Sequence, residues 1–154
     1  MSVKIVCLGK TREAWIKQGI AEYQKRLNPV WNIQWLELKD ISLKEAGNIQ
    51  TVKTKEAVII TKALAPTDYI IAMDENGKHM GSVDFAHQFN ELMATKDIVF
   101  IIGGVYGLDS TILSKANLKL SFSDFTFPHQ LIRLILIEQL YRAWTICSGK
   151  TYHY

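Results

Sequence analysis

Five consecutive apolar residues, Ile98–Ile102 (IVFII), stop abruptly on Gly103-Gly104. A run this short, β-branched and apolar on both faces is the pattern of a strand buried in a parallel sheet. Glycine after it permits a turn that other residues resist. The stretch from Ile98 to Ala143 then reads as strand, glycine turn, short helix, strand (Leu118–Phe122), loop (Ser123–Pro128) and long helix. In open α/β sheets, ligands bind beyond the carboxyl ends of the strands. The loops Gly103–Gly107 and Ser123–His129 each follow a strand, so they are the first places to expect chemistry.

The rest of the chain extends the same alternation. Val3–Leu8 (VKIVCL) is β-rich and closes on Gly9. Glu13–Leu27 places Ile16, Ile20, Tyr23 and Leu27 at helical spacing, and Asn28-Pro29 ends it. Ile33–Leu38 alternates apolar and polar residues, as a half-buried strand does. Lys39–Thr54 is polar and lysine-rich; it reads as a mobile surface loop leading into a helix over about Thr51–Leu64. Its lysines suit either a phosphate backbone or solvent. Tyr69–Met73 is an apolar strand, and Asp74–Lys78 carries Asn-Gly, the signature of a tight turn. Ser82 offers an N-cap for Val83–Ala94, with Val83, Ala86, Phe89 (or Asn90) and Met93 as its apolar face. Asp109 or Ser110 caps a short helix through Ala116.

The last helix spans about His129–Cys147, with Pro128 at its start and Gly149 past its end. Its apolar residues cover more than one face. One face belongs on the sheet; the second calls for another partner, such as a second subunit. Five strands alternating with helices predict an α/β fold, a mostly parallel sheet with helices on both faces. At 154 residues, without linker or repeat, residues 1–154 read as one domain.

A hydrophobic content of 48% with 21% charged residues excludes disorder. A net charge of +3 permits an anionic partner without requiring one. Cys7 and Cys147 lack metal-ligand spacing and read as reduced thiols of a cytoplasmic protein. No signal peptide, membrane span or metal site is expected.

Four groups of residues carry candidate chemistry. Gly103–Gly107 can bring backbone amides to a ligand, but it is neither a dinucleotide fingerprint nor a phosphate loop. Ser123, Asp124, Phe125, Thr126, Phe127 and Pro128 form a loop whose backbone can pair with an adenine edge while a phenylalanine packs on the ring. Glu138 and Arg142 are four residues apart on one helix, and His129 and Arg133 precede them. That pair reads either as a helical salt bridge or as an arginine held ready for an anionic oxygen. The tail Thr151–Tyr154 is aromatic and titratable; it reads as a disordered end or as part of a site.

Taken together, Ile101–Leu108 (IIGGVYGL), Leu120–His129 (LSFSDFTFPH), Glu138–Trp144 (EQLYRAW) and the Tyr-His tail resemble the bacterial ribosomal RNA large subunit methyltransferase H family. The Lys4–Gly9 strand and the Trp15–Arg26 helix fit too, so the resemblance covers essentially the whole chain. It implies a SPOUT methyltransferase fold with a C-terminal trefoil knot. It also implies a homodimer that uses S-adenosylmethionine to methylate N3 of a pseudouridine in 23S rRNA, on the assembled ribosome. Carried over, the cofactor contacts fall at Met73, Gly103, Gly104 and Ser123–Pro128. Arg142, oriented by Glu138, is expected to face the charge developing on the base, and His153 to orient the base or accept its proton. Tyr152 and His129 are further substrate contacts. The tail departs from the family pattern at Thr151, where proline is usual, and at Tyr154. Two rivals remain: a non-catalytic ribosome-associated RNA-binding module of the same fold, and a flavodoxin-type cofactor binder. The second is weakened by Gly9-Lys10-Thr11, which is not a Ser/Thr-rich phosphate loop.

Overall fold

The computed structural model describes residues 1–153. Five strands form one sheet: β1 (Val3–Leu8), β2 (Ile33–Leu38), β3 (Tyr69–His79), β4 (Ile98–Ile102) and β5 (Leu118–Ser121). Their order is β2-β1-β4-β3-β5, and every pairing is parallel. The central strand β4 is buried at all five positions, as its unbroken apolar run requires.

Alternation along the strands sorts side chains into two layers. Val3, Ile5 and Cys7 of β1 face one layer with Ile98, Phe100 and Ile102 of β4. That layer is covered by α1 (Ala14–Leu27), α4 (Ser82–Met93) and α6 (His129–Cys147). Val6, Leu8, Val99 and Ile101 face the other, covered by α3 (Ile49–Lys62) and α5 (Ser110–Lys115). Helices therefore lie on both faces. A Cβ at Gly19 would stand 2.7 Å from Leu134, so glycine lets α1 and α6 cross closely.

Three expectations need correction. Lys39–Thr54 is not a plain loop. Ser42 caps a short helix α2 (Leu43–Ala46), and the Asn48 side chain accepts the Thr51 N–H to start α3 two residues early. Asn76-Gly77 is not a tight turn. β3 continues through it to His79, with a shift in its register against β5 between Met73 and Lys78. A Cβ at Gly77 would stand 2.7 Å from the Leu120 nitrogen, so this glycine serves close backbone approach. In α4 the buried face is Phe85, Ala86 and Phe89, while Val83 is exposed and Gly81 is the N-cap. The helix begins one residue early, and Phe85 takes the inward place expected of Val83, while Ala86 and Phe89 are buried as expected.

The tail folds back on the molecule. Tyr152 packs edge-on against Tyr141 at 4.8 Å and shares a 3.2 Å hydrogen bond with the Tyr23 hydroxyl. Tyr154 lies outside the described residues.

Candidate active site

The carboxyl ends of β3, β4 and β5 meet in register, Met73 opposite both Ile102 and Leu120. β4 and β5 then give way to loops while β3 runs on past Met73 to His79, and together they enclose a cavity of about 590 Å³. This is a volume typical of small-molecule sites. Its floor is apolar, with Met73, Ile102, Leu120 and Phe127. Its walls are the glycine turn after β4 and the loop after β5.

The glycine turn is built by local geometry. Gly107 sits at φ 77° and its N–H returns to the Gly104 carbonyl at 3.1 Å. A Cβ at Gly103 would stand 2.9 Å from the Gly107 backbone, so no larger residue fits there. Asp109 closes the turn by capping α5. It accepts the Thr111 N–H and Oγ1 at 2.9 and 2.7 Å, and Gln50 donates to its other oxygen at 3.0 Å. Those bonds hold the Asp109 carboxyl below its ordinary pKa.

The loop after β5 is a turn of its own. Ser121 Oγ donates to the Ser123 carbonyl, and the Phe125 N–H donates to Ser123 Oγ at 3.0 Å. Ser123, Phe125, Thr126, Phe127 and Pro128 line the cavity, as do Met73, Gly103, Gly104 and His129. Asp124 does not; it turns outward to pair with His79 at 3.4 Å. Phe125 is 80% exposed at the rim, whereas Phe127 is half-buried. His129 is held below its ordinary pKa, first by burial and then by the nearby Arg133 charge, so its imidazole is neutral at pH 7.

Arg133, one turn beyond, is wholly buried. It donates to Thr11 Oγ1 at 2.8 Å and to the Leu8 carbonyl at 2.7 Å, and lies 3.6 Å from Glu37. It ties α6 to the end of β1 and fixes where His129 enters the cavity.

A second group gathers at the far end of α6. Arg142 Nη2 donates to Glu138 Oε1 at 2.6 Å, and Nη1 lies 3.2 Å from His153 Nδ1. The guanidinium stands 4.9 Å from the Tyr152 ring centre. The Glu138 hydrogen bond, the largest influence, keeps Arg142 firmly charged. Burial first, then the Tyr23 and Glu138 contacts, raise the Tyr152 hydroxyl pKa. Tyr152 is therefore a neutral hydrogen-bonding group rather than a base.

The two groups do not meet within one chain. At about 1.5 Å per residue, Arg142 lies about 20 Å along α6 from His129. Arg142, Glu138, Tyr152 and His153 are all absent from the cavity lining.

Sequence reasoning missed Lys53, Asp74 and Tyr106, which do line the cavity. Lys53 had a signal. Gln50, Lys53 and Glu56 recur every three residues, so they share one face of α3. Asp74 was hidden by the mistaken turn. Among the described residues, no group of three or more His, Cys, Asp or Glu is placed to hold a metal ion. None of the described helices is long and apolar enough to cross a membrane.

Comparison with known proteins gives this site its context. A family model described as a predicted SPOUT methyltransferase matches residues 1–153. Ribosomal RNA large subunit methyltransferase H of Streptococcus equi subsp. zooepidemicus is 43% identical, with 99% of each chain covered. The protein of that name from Carboxydothermus hydrogenoformans is 42% identical over the same share. Among solved structures, a probable methyltransferase from Bordetella pertussis Tohama I aligns with a TM-score of 0.58 at 9% identity, covering 92% of this chain and 93% of that one. A probable methylase family protein from Haemophilus influenzae Rd KW20 gives 0.57 at 13%, covering 99% and 70%. These structural likenesses speak to fold alone. With this match in family and in length, the chain belongs to the SPOUT methyltransferase family, among the ribosomal RNA large subunit methyltransferase H proteins.

Proposed function

We propose that this protein methylates N3 of a pseudouridine in 23S rRNA, on the large subunit or the assembled ribosome, with S-adenosylmethionine as methyl donor. The observation that carries the reading is the cavity at the ends of β3, β4 and β5, walled by a turn that admits no Cβ at Gly103. Family membership supplies the class of chemistry.

The residues fit that cofactor. Met73, Ile102, Leu120 and Phe127 offer an apolar bed for a flat ring, and the Gly103–Gly104 and Ser123–Pro128 backbones offer polar edges beside it. When bound, S-adenosylmethionine supplies a methyl group on a positively charged sulfur. His129, neutral at pH 7, can accept or donate one hydrogen bond at the inner wall.

Pseudouridine N3 carries a proton and becomes a nucleophile as that proton leaves. Arg142, kept charged and oriented by Glu138, stabilises the negative charge that spreads onto the ring oxygens. His153, beside Arg142, orients the base or takes the proton. Tyr152 supports both by packing and hydrogen bonding.

The separation of about 20 Å along α6 means that Arg142 and His153 cannot serve their own chain's cavity without leaving the helix. A homodimer resolves this: the tail group of one subunit acts at the cavity of the other. A surface suited to that pairing exists. Leu131, Leu134, Ile135 and Tyr141 remain half-buried on α6, next to α1, where Trp15 is 56% exposed. Membership of the SPOUT family supports a trefoil-knotted C-terminal segment. Such threading is rare and belongs to this fold family. We read residues 1–154 as one domain.

The test is methyl transfer from labelled S-adenosylmethionine to ribosomes lacking the modification, with mass spectrometry of the modified nucleoside. Methyl incorporation at pseudouridine N3, reduced at least about a hundredfold in Arg142→Ala, is the expected result. Donor binding without any methyl transfer to ribosomes, subunits or free rRNA contradicts it.

A further inference from the structure

Glu56 is a buried carboxylate that the methyl-transfer reading leaves without a task. It projects from α3 and is 5% exposed. Its Oε1 accepts the Ile41 N–H at 3.1 Å. Among the described residues no donor reaches Oε2, and no cation pairs with the group within 4.0 Å. Instead the carboxylate lies against the glycine turn. A Cβ at Gly104 would stand 3.3 Å from Oε2 and 3.4 Å from Oε1. Because Gly104 has no side chain, a negative group can rest directly behind the backbone that walls the cavity.

A mostly buried carboxylate held by a single backbone hydrogen bond is disfavoured as an ion. Burial raises its pKa above the ordinary value, the Ile41 N–H opposes that rise, and the Asp40 charge adds to it. A positive charge brought to the other side of the turn relieves this penalty; a neutral occupant does not. The remaining charged groups at the cavity are Lys53, Asp74 and Glu75 on its lining, and Asp109 is already spent on its cap. Glu56 is thus the one buried carboxylate at the turn with hydrogen-bonding capacity still free among the described residues.

We propose that Glu56 is a specificity-determining residue that favours a cationic donor over its neutral product, acting through the Gly104 backbone. This rests on the S-adenosylmethionine reading. A donor whose sulfonium lies across the Gly104 turn would present Glu56 with a positive charge before transfer and an uncharged thioether afterwards. Its attraction is therefore present for the donor and gone for S-adenosylhomocysteine, which promotes exchange of spent cofactor. Glu56 is a positioning residue; it does not line the cavity.

Calorimetric titration of the full-length wild type and of Glu56→Gln, each with S-adenosylmethionine and with S-adenosylhomocysteine, tests this. Glutamine retains an oxygen for the Ile41 N–H and removes only the charge. Affinity for the donor is expected to fall about fivefold or more, and affinity for the thioether to change less than about twofold. Equal losses for both ligands, which a merely structural role produces, overturn the proposal, and so does no change in either. If the wild type binds neither ligand, the cofactor reading itself fails, and this inference falls with it. Should Glu56→Gln not fold by circular dichroism, the wild type carries the test. S-adenosylmethionine and sinefungin, which bears an ammonium in place of the sulfonium, are expected to bind more tightly than S-adenosylhomocysteine. Thioether binding as tight as that of both cations overturns the proposal.

Discussion

At the scale of the residue, the molecule depends on a few buried charges. Arg133 interrupts the most apolar helix of the chain, and from sequence it stands beside His129, Glu138 and Arg142 as one more candidate. Its burial and its bonds to Thr11 and Leu8 give it a different task, holding α6 to β1. Removing the guanidinium leaves the Leu8 carbonyl without its partner and opens a void between α6 and β1, so Arg133→Ala is expected to lower unfolding stability by about 3 kcal/mol, measured by urea denaturation. Glu37 shows the same network from its acidic side. Burial alone would raise its pKa; the two Thr11 hydrogen bonds and the Arg133 charge outweigh that and lower it. A carboxylate with a depressed folded pKa contributes stability above its unfolded value, near 4.5, and loses it as pH falls through the folded value. Acid unfolding of Glu37→Gln should therefore lose the part of the wild-type slope that lies below about pH 4.5. His129 makes an independent claim: its imidazole should titrate below 6.5 in an NMR pH series. A midpoint above 6.5 contradicts its neutral role in the cavity wall.

Elements were legible in proportion to how much of their pattern was local. The bounds of β1, β2, β4 and α6 follow from apolar runs and from the Pro128 and Gly149 boundaries, and the structure has the same bounds. The misreadings arose where tertiary contact overrode a short signal. Asn76-Gly77 carries the chemistry of a tight turn, yet Gly77 is needed because the Leu120 backbone lies against it. Gly77→Ala is expected to destabilise the protein by about 1–3 kcal/mol, since the clash is with backbone that cannot move aside easily. The same extension of β3 brings Asp74 and Glu75 to the cavity, which no periodicity could reveal. The cavity residues Gly103, Gly104 and Ser123–Pro128 were visible because each follows a strand. Asp124 was included only by adjacency, and its outward turn to His79 removes it from the lining. Lys53 and Glu56 lay inside the expected helix, but its inner face was not drawn, because polar residues there break the apolar stripe.

For the whole molecule, the feature that sequence could not supply is distance. Glu138, Arg142 and the Tyr-His tail do gather, but at the opposite end of α6 from the cavity. Under the proposed reading, their action on a base held at the cavity takes two subunits. Light scattering should give twice the 17.6 kDa chain mass. Mixed dimers make the arrangement testable. Gly104→Val disables the cavity of one chain, and Arg142→Ala disables the tail group of the other. If each site is shared between subunits, the mixture should regain up to about a quarter of wild-type methyl transfer, because half of the dimers are mixed and each has one intact site. Activity no higher than that of the two variants measured separately contradicts sharing.

Whether the cavity beyond β3, β4 and β5 holds S-adenosylmethionine is decided by calorimetric titration of the wild-type protein and of Gly104→Val. The expected result is one site per chain in the wild type and loss of binding in a variant that still folds, because the added side chain runs into Glu56 and shifts the turn that walls the cavity. A well-folded wild-type dimer that binds no donor contradicts it and favours a non-catalytic RNA-binding module.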